Sequence, residues 1–312
     1  MKRDFNQIVW DDQLATEVRK LVTFAISEDL GSEGDITTQA LVPKHALGQA
    51  VMRSRQAGVA AGLVAIPLVV TMIDSRIHWE PALCDGDVIG EGLTPLGTIT
   101  GPVASILTVE RKILNLVGRL CGIATLTKSY VQEIAGTNAK IYDTRKTTLG
   151  WRRLEKYAVQ CGGGKSHRTG LFDAILIKDN HLAFGASEDT DTGGRYTPAQ
   201  AVRKAREWCD RSNRKSGQQQ WLPMIEIEVD SLEQLSEVLQ ESPDIVMLDN
   251  MLPDHIRKAV SIRNELGVPT ELEASGGINL RTVRDIAETG VERISVGALT
   301  HSAFSLDIGL DY

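Results

Sequence analysis

The second half of the chain alternates short apolar runs with longer amphipathic segments, and this alternation constrains the fold most. The apolar runs predict strands at residues 139–143, 174–178, 224–229, 244–249, 270–275 and 293–297. Helical patterns lie between or after them, at about 150–160, 198–211, 231–241, 254–266 and 280–289. Strands that alternate with helices pair in parallel through right-handed crossovers. The pattern therefore predicts an α/β domain with a parallel sheet.

The first part of the chain has a different pattern. An amphipathic helix is predicted over residues 10–30, with Gly31 as its C-terminal stop. From residue 47 to about 101, short apolar runs alternate with Gly, Pro and Asp, which is typical of a small sheet with a helix near 63–74. A long helix is then predicted over roughly 103–120. The length of 312 residues favours about two domains.

Polar residues stand at or beside the ends of the predicted strands. They are Asp143, Lys178, Glu228, Asp249 and Ser275. The carboxyl ends of parallel strands gather at one face, where α/β folds place their functional groups. The alternative for any one of these residues is a solvated strand end, since loops are generally polar. We predict that these residues belong to one site.

A basic stretch from Asp143 to His181 lies in this region. It contains eight Lys or Arg against four Asp or Glu, although the whole chain has a formal net charge of −7. Cations concentrated in an acidic protein indicate a site for an anionic small molecule and argue against nucleic acid as a partner. The triple glycine at 162–164 matches neither a P-loop nor a dinucleotide motif, because Val159 and His167 stand where a glycine would be required.

Four cations of this stretch exceed what one phosphate needs: Arg145, Lys146, Arg168 and Lys178. Arg binds carboxylates through two parallel N–H groups, while Lys acts as a mobile point charge. The set suits a ligand with several carboxylates, a diphosphate, or both. Glu228 and Asp249, from later strands, can hold Mg²⁺ or accept hydrogen bonds from ribose hydroxyls. An internal salt-bridge network is the alternative.

Glycines after the last two predicted strands indicate a phosphate site. Ser275, Gly276 and Gly277 precede a predicted helix, and Gly297 closes the last strand. Glycine amides in these positions commonly bind phosphate in α/β barrels. A turn that serves only backbone geometry is the alternative.

Nothing in the chain predicts secretion or membrane insertion. The N-terminal segment lacks the apolar run of a signal peptide. The longest uncharged stretch, residues 57–73, is interrupted by glycines and a proline. The four cysteines are far apart and form no CxxC pair, which fits a reducing compartment. We expect a cytoplasmic protein without a membrane partner.

These motifs together resemble the quinolinate phosphoribosyltransferase family. The matching segments, in chain order, are EDLGSEGDIT, ERKILNLVGRLCGIAT, DTRKTTLGWRRLEKYAV, CGGGKSHRTGLFDAILIKDNH, EIEVDS, VMLDNM, EASGGI and VGALTHS. The resemblance implies an N-terminal α/β sandwich domain at 1–120, joined by a C-terminal tail of about 299–312. It also implies an incomplete, open α/β barrel, the phosphoribosyltransferase domain, at 121–298.

The resemblance also implies a reaction and its partners. Quinolinate and phosphoribosyl pyrophosphate would give nicotinate mononucleotide, pyrophosphate and CO₂ in de novo NAD biosynthesis, with Mg²⁺ as cofactor. The protein would be a homodimer, with further assembly into a hexamer as an alternative. The residues with catalytic roles would be Lys146, Lys178, Glu228 and Asp249.

Motif by motif, the resemblance assigns binding roles. The quinolinate carboxylates would be bound by Arg145, His167, Arg168 and Lys178. Thr144 and Lys146 would lie beside them, and Arg111 would reach the active site of a partner subunit. Glu228 and Asp249 would hold the ribose and the associated Mg²⁺. The 5′-phosphate would be bound by Ser275, Gly276, Gly277, Gly297 and His301.

The chain departs from the family pattern in two polar segments. Residues 186–196 and 210–220 look like insertions, and we expect them to be poorly ordered loops. They include none of the matched motifs. The departure therefore affects what can be expected of local assembly or loop closure, and leaves the expected reaction unchanged. Two alternative functions stay open: a nicotinate-type phosphoribosyltransferase that does not decarboxylate, and a non-catalytic anion-binding protein on the same fold.

Overall fold

A computed structural model describes residues 4–185, 194–216 and 222–312 of the chain. These residues form two compact units. The antiparallel-sheet unit contains Gln7–Ser129, Lys146–Lys165 and Gly297–Tyr312. The parallel-sheet unit contains Tyr130–Arg145 and the described part of Ser166–Val296, together with residues 4–6. The predicted domain limits at residues 120 and 298 stay a prediction.

Helices and strands are numbered in chain order. The helices are α1 (Asp12–Leu30), α2 (Ile36–Leu41), α3 (Ile66–Ile73), α4 (Val103–Glu133), α5 (Arg152–Cys161), α6 (Asp179–Phe184), α7 (Pro198–Ser216), α8 (Leu232–Gln240), α9 (Pro253–Leu266), α10 (Val283–Ala287) and α11 (Ala298–His301). The strands are β1 (Leu47–Ser54), β2 (Gly58–Val59), β3 (His78–Pro81), β4 (Val88–Ile89), β5 (Thr94–Pro102), β6 (Lys140–Tyr142), β7 (Ile175–Ile177), β8 (Ile225–Val229), β9 (Ile245–Asp249), β10 (Glu271–Ser275), β11 (Arg293–Ser295) and β12 (Ile308–Asp311).

The antiparallel-sheet unit is built on a sheet with the strand order β12-β1-β5-β3. The C-terminal strand β12 pairs with β1, so the end of the chain completes this sheet. Helix α1 ends where the sequence predicts, because Gly31 adopts a φ of 48° that a residue with a side chain rarely takes.

The prediction that α4 ends near residue 120 is wrong, since the helix continues to Glu133. The glycine at position 122 does not stop the helix. It lets the C-terminal segment approach closely, because a Cβ there would lie 1.8 Å from the carbonyl oxygen of Phe304. The amide N–H of Leu306 donates to the carbonyl oxygen of Gly118, one turn earlier, at 2.9 Å. Packing by the C-terminal tail thus explains why α4 contains Gly118 and Gly122, although glycine has a low helix propensity.

The parallel-sheet unit contains six strands in the order β6-β11-β10-β9-β8-β7, all paired in parallel. The edge strands β6 and β7 do not pair with each other in the described part of the chain, so the barrel is open. This confirms the predicted α/β fold with an incomplete barrel. The predicted strands agree with the observed ones to within two residues at either end.

The polar tract at 210–220 is helical where it begins, because α7 runs to Ser216. The prediction of a loop over 210–216 is therefore wrong. The helix buries Val202 and Cys209, which lie two turns apart, and exposes the charged residues between them. Residues 217–220 and 187–193 of the predicted loops lie outside the described residues. Among the described helices, none is both long enough and apolar enough to cross a membrane.

A buried ion pair joins three segments of the antiparallel-sheet unit. The carboxylate of Glu155, fully buried on α5, accepts hydrogen bonds from Arg119 of α4 at 2.9 and 3.2 Å. The same carboxylate accepts from the hydroxyl of Thr148 at 2.9 Å. The Arg119 guanidinium also donates to the carbonyl oxygens of Thr300 and Ala303 in the C-terminal segment. Removing the arginine would leave a buried charge without compensation.

We predict that Arg119→Ala lowers the free energy of unfolding by about 3 kcal/mol, because Glu155 would keep its desolvation cost and lose its cation. Denaturant unfolding at neutral pH measures this change. The matched control is Arg203→Ala, which removes an exposed arginine paired with Glu241 at 2.6 Å. Exposed pairs add little to stability, so the control should leave the unfolding midpoint nearly unchanged. Equal shifts in the two variants would contradict the role given to Arg119.

Candidate active site

The carboxyl edge of the parallel sheet brings several predicted residues together. Lys178 follows β7 and forms an ion pair with Glu228 near the end of β8. Asp249 and Ser275 end neighbouring strands and are register partners. Asn250, next to Asp249, donates its side-chain N–H to that carboxylate at 2.8 Å. Residues separated by almost 100 positions in the sequence are thus neighbours at one edge.

A cavity of about 330 Å³ opens at this edge. Its lining includes Glu228 and Asp249, two further carboxylates, and an arginine and a tyrosine: Asp179, Asp230, Arg195 and Tyr196. Arg195 and Tyr196 were not predicted from the sequence, because they are the last two residues of the polar segment 186–196, which resembles an insertion. The only local signal was a basic residue next to an aromatic one at the end of that segment.

Two arginines of the parallel-sheet unit lie close enough for one charge to affect the other, and each has a buried nitrogen without a hydrogen-bond partner in the described residues. The Nε atoms of Arg145 and Arg168 are buried and have no hydrogen-bond partner within the described residues. Arg168 does donate from its guanidinium to the carbonyl oxygen of Ala174 at 3.2 Å. Burial, and then the positive charge of Arg145, lower the pKa of the Arg168 guanidinium. Two like charges with unmatched N–H groups favour binding of an anion.

A buried acidic cluster lies around His167 in the same unit. His167 Nε2 is 3.0 Å from a carboxylate oxygen of Glu226 and 3.5 Å from one of Glu273. Both glutamates are fully buried. Burial, and then the charge of Glu226, raise the pKa of Glu273 to about 7. The ring of Phe5 lies against the imidazole, with a centroid distance of 4.3 Å.

Sequence reasoning did not select Glu226 and Glu273 as site residues. Each lies two positions before a predicted site residue, Glu228 or Ser275, so the alternation of a strand places it on the same face. An acidic residue inside an otherwise apolar strand was the available signal. That signal indicates a buried cluster only when the acids are known to contact His167, which comes from a distant segment.

The predicted glycine turn adopts a conformation that requires glycine. Gly276 and Gly277 have φ values of 92° and 62°. A Cβ at Gly276 would lie 2.2 Å from the side-chain oxygen of Asn250, whereas nothing lies within 4 Å of a Cβ built at Gly277. The turn is exposed beside the carboxyl ends of β9 and β10, where an anion could reach its backbone amides.

Four predicted site residues belong to the antiparallel-sheet unit, and three of them are adjacent. A Cβ built at Gly297 would lie 3.0 Å from Cδ of Lys146 and 3.2 Å from Nε2 of His301. The carbonyl oxygen of Lys146 also accepts from the hydroxyl of Thr300 at 2.7 Å. The fourth residue, Arg111, is exposed on α4. Thr144 is half-buried after β6, in the parallel-sheet unit.

Comparison with known proteins identifies related sequences and structures. The chain is 42% identical over 298 residues to a nicotinate-nucleotide pyrophosphorylase [carboxylating] of Mycobacterium leprae, covering 94% of this chain and 96% of the relative. It is 37% identical over 295 residues to a probable enzyme of the same name from Bacillus subtilis, covering 95% and 93%. The structure of the nicotinate-nucleotide pyrophosphorylase from Francisella tularensis superposes with a TM-score of 0.86, at 35% identity and 99% coverage of both chains.

Two sequence models of one family match successive parts of the chain. The N-terminal domain of quinolinate phosphoribosyl transferase matches residues 35–121. The C-terminal domain of the same family matches residues 123–311. The chain therefore belongs to the quinolinate phosphoribosyltransferase family.

Proposed function

We propose that this chain catalyses the decarboxylating transfer of a phosphoribosyl group to quinolinate. Phosphoribosyl pyrophosphate is the donor, and the products are nicotinate mononucleotide, pyrophosphate and CO₂, which serve de novo NAD biosynthesis. The observation that most favours this function over a monocarboxylate substrate is the pair Arg145 and Arg168. Each has a buried Nε–H without a partner in the described chain, and a dianion would compensate both charges.

In this proposal the quinolinate carboxylates bind to Arg145, His167, Arg168 and Lys178, and the family motif adds Thr144 and Lys146 to the set. The arginines supply planar N–H pairs for the two carboxylates. Lys178 keeps Glu228 as its ion-pair partner, so it connects the acid site to the ribose site. His167, also assigned to this set by its motif, is buried against Glu226 and Glu273.

The donor binds along the remaining strand ends. Glu228 and Asp249 line the cavity beside β8 and β9 and accept the ribose hydroxyls. The 5′-phosphate is bound by the backbone amides of Gly276 and Gly277, by Ser275, and by Gly297 and His301. The exposure of Gly276 and Gly277 at the carboxyl edge of the sheet supports this part of the proposal, because an anion can reach their backbone amides there.

The carboxylates around the cavity fit a magnesium ion. Asp179, Glu228, Asp230 and Asp249 all line it, and hard oxygen donors of this kind suit Mg²⁺ with its retained waters. Glu228 and Asp249 are the proposed ligands. When bound, the ion neutralises charge on the pyrophosphate of the donor.

The chemistry requires position and charge more than a nucleophile on the protein. The quinolinate nitrogen attacks the anomeric carbon as the bond to pyrophosphate breaks, and nearby carboxylates stabilise the oxocarbenium-like state. Lys146 neutralises charge on the departing pyrophosphate. The bond to the carboxylate next to the ring nitrogen then breaks, its electrons stay on the ring carbon, and a proton replaces CO₂. The arginines hold two mutually repelling anions in reacting geometry.

We further propose a homodimer in which Arg111 acts in the active site of the partner, with a hexamer as the alternative assembly. Arg111 is exposed near the middle of α4, so its side chain is accessible to another subunit. Its charge would add a cation to a site that binds two polyanions.

We predict that the purified protein releases CO₂ and forms nicotinate mononucleotide from quinolinate and phosphoribosyl pyrophosphate. Nicotinate, tested in parallel, should give no product, because it supplies one carboxylate where two arginines need compensation. Product analysis by NMR and trapped CO₂ measures both reactions. Turnover of nicotinate alone would establish the non-decarboxylating alternative, and binding of both substrates without product would favour an anion-binding protein.

The metal is tested in the same assay. Removal of divalent ions with EDTA should stop product formation, and excess Mg²⁺ should restore it. Full activity after exhaustive chelation would contradict the role proposed for Glu228 and Asp249.

We predict that Lys146→Ala lowers kcat by about 100-fold, as expected for loss of one group that stabilises developing charge. The matched control is Lys258→Ala, which removes an exposed lysine on α9 and should leave kcat unchanged. Steady-state kinetics with both substrates varied provides the measurement. An unchanged kcat in the Lys146 variant would refute its role.

We predict that Arg111→Ala and Lys178→Ala are each nearly inactive but complement each other when mixed. Random exchange gives hybrid dimers with one intact site, so activity should recover to about a quarter of the wild-type value. Native mass spectrometry of a mass-tagged variant confirms the exchange. Absence of recovery despite confirmed hybrids would show that Arg111 does not act across the interface.

A further inference from the structure

Both ring nitrogens of His167 have partners inside the protein. Nδ1 accepts a hydrogen bond from the backbone N–H of Arg168 at 2.8 Å. Nε2 faces Glu226, whose two carboxylate oxygens lie 3.0 and 3.3 Å away. The imidazole is 4% exposed, and its own backbone N–H donates to Asp143 at 2.9 Å. The ring is therefore fixed from several sides.

The hydrogen bond at Nδ1 decides the tautomer. A ring nitrogen that accepts from an N–H group carries no proton, and an imidazole with one unprotonated nitrogen is neutral. The proton must then lie on Nε2, where it meets Glu226 and, at 3.5 Å, Glu273. The carboxylates gain a donor in this tautomer. In the other neutral tautomer, the lone pair of Nε2 would face the carboxylates of Glu226 and Glu273. The Nδ1–H would then point at the backbone N–H of Arg168, and neither nitrogen would have a suitable partner.

The same tautomer argues against a metal ion among these residues. His167, Glu226 and Glu273 offer ligand atoms within 4.8 Å of one another, which is a spacing that a cation could bridge. A histidine binds a metal through an unprotonated nitrogen. Here the nitrogen that faces the carboxylates is the protonated one, so the cluster is a hydrogen-bonded network.

We propose that His167 is a neutral positioning residue, which holds the backbone of Arg168 and thereby places its guanidinium beside Arg145. Glu226 is its partner: its carboxylate accepts a hydrogen bond from Nε2–H and keeps the ring in this orientation. Glu273 completes the buried acceptor set. Recognition of the dicarboxylate then belongs to the arginines, and the imidazole makes its contribution through Arg168. The kinetic test of this inference rests on the proposed function, whereas the NMR test of the tautomer does not.

Charged groups from several elements act on His167 or on its direct partners. Glu226 lies on β8, Glu273 on β10, and Asp143 follows β6. Arg168 is adjacent in sequence, Arg145 acts on Arg168, and Arg293 of β11 acts on Glu273. The buried acids favour a donor on the ring, while the N–H of Arg168 excludes a proton from Nδ1.

Nitrogen NMR of protein labelled with ¹⁵N-histidine tests the tautomer directly. The signals of His167, assigned by their loss in His167→Asn, should show an unprotonated Nδ1 and a protonated Nε2. Nδ1 should stay unprotonated and Nε2 protonated from about pH 6 to 8.5 and on addition of quinolinate, unlike the ring nitrogens of a histidine peptide in the same buffer, which titrates in this range. Glu226→Gln, which keeps an accepting oxygen, should preserve the tautomer. Protonation of both nitrogens, with or without quinolinate, would overturn the proposal.

Kinetics separates positioning from direct contact. His167→Asn keeps an oxygen near the position of Nδ1 and can still accept from Arg168, whereas His167→Gln keeps only a donor near Nε2. We expect the KM for quinolinate to rise by about fivefold more in the Gln variant, the effect of one buried hydrogen bond. The KM for phosphoribosyl pyrophosphate should be similar in both. Equal increases of the quinolinate KM in the Asn and Gln variants would instead indicate that a charged imidazole of His167 contacts quinolinate directly.

The two tests fail in different ways. Absence of enzymatic turnover would refute the proposed function and leave the NMR result intact. The expected tautomer without a difference between the Asn and Gln variants would refute the positioning role. Circular dichroism and thermal unfolding of each variant confirm that the compared proteins are folded.

Discussion

Parallel pairing of the strands is the constraint on which the site depends. Each strand of the open barrel runs in the same direction, so each ends at the same edge. This brings Lys178 to Glu228 and places Asp249 beside Ser275, although these residues come from four separate strand ends. A side chain at the carboxyl end of one strand therefore lies close to the side chains that end the neighbouring strands. A shift in register would instead separate the functional groups.

The parallel-sheet unit combines buried acids with buried cationic nitrogens. Glu226 and Glu273 are fully buried next to His167, whereas Arg145 and Arg168 present unmatched N–H groups. Buried charges are costly unless each has a partner. The imidazole supplies a donor to the acids, and the proposed dicarboxylate substrate supplies the acceptors that the arginines need. Anion binding and stability of the core are in this way connected through the short segment from His167 to Arg168.

The strand pattern was sufficient for predicting the barrel because its signals are local. Apolar runs, polar ends and glycine stops depend on neighbours within a few residues, and these predictions agree with the structure. The failures came from contacts outside those windows. Helix α4 continues past its predicted end, and its glycines at 118 and 122 are in contact with the C-terminal tail. Helix α7 continues to Ser216 through a tract too polar to predict a helix.

The sequence alone determined the family, the order of the strands along the chain and most residues of the proposed site. Their spacing and residue types are properties of short motifs. Only the tertiary structure decided what His167 does, because its tautomer depends on a backbone amide at Arg168 and on acids at Glu226 and Glu273. The contact at Nδ1 is local, since it joins adjacent residues, but the distances from Nε2 to the two acids join segments 59 or more positions apart. Protonation is set by the groups around the ring, and these come from separate motifs that only the fold brings together.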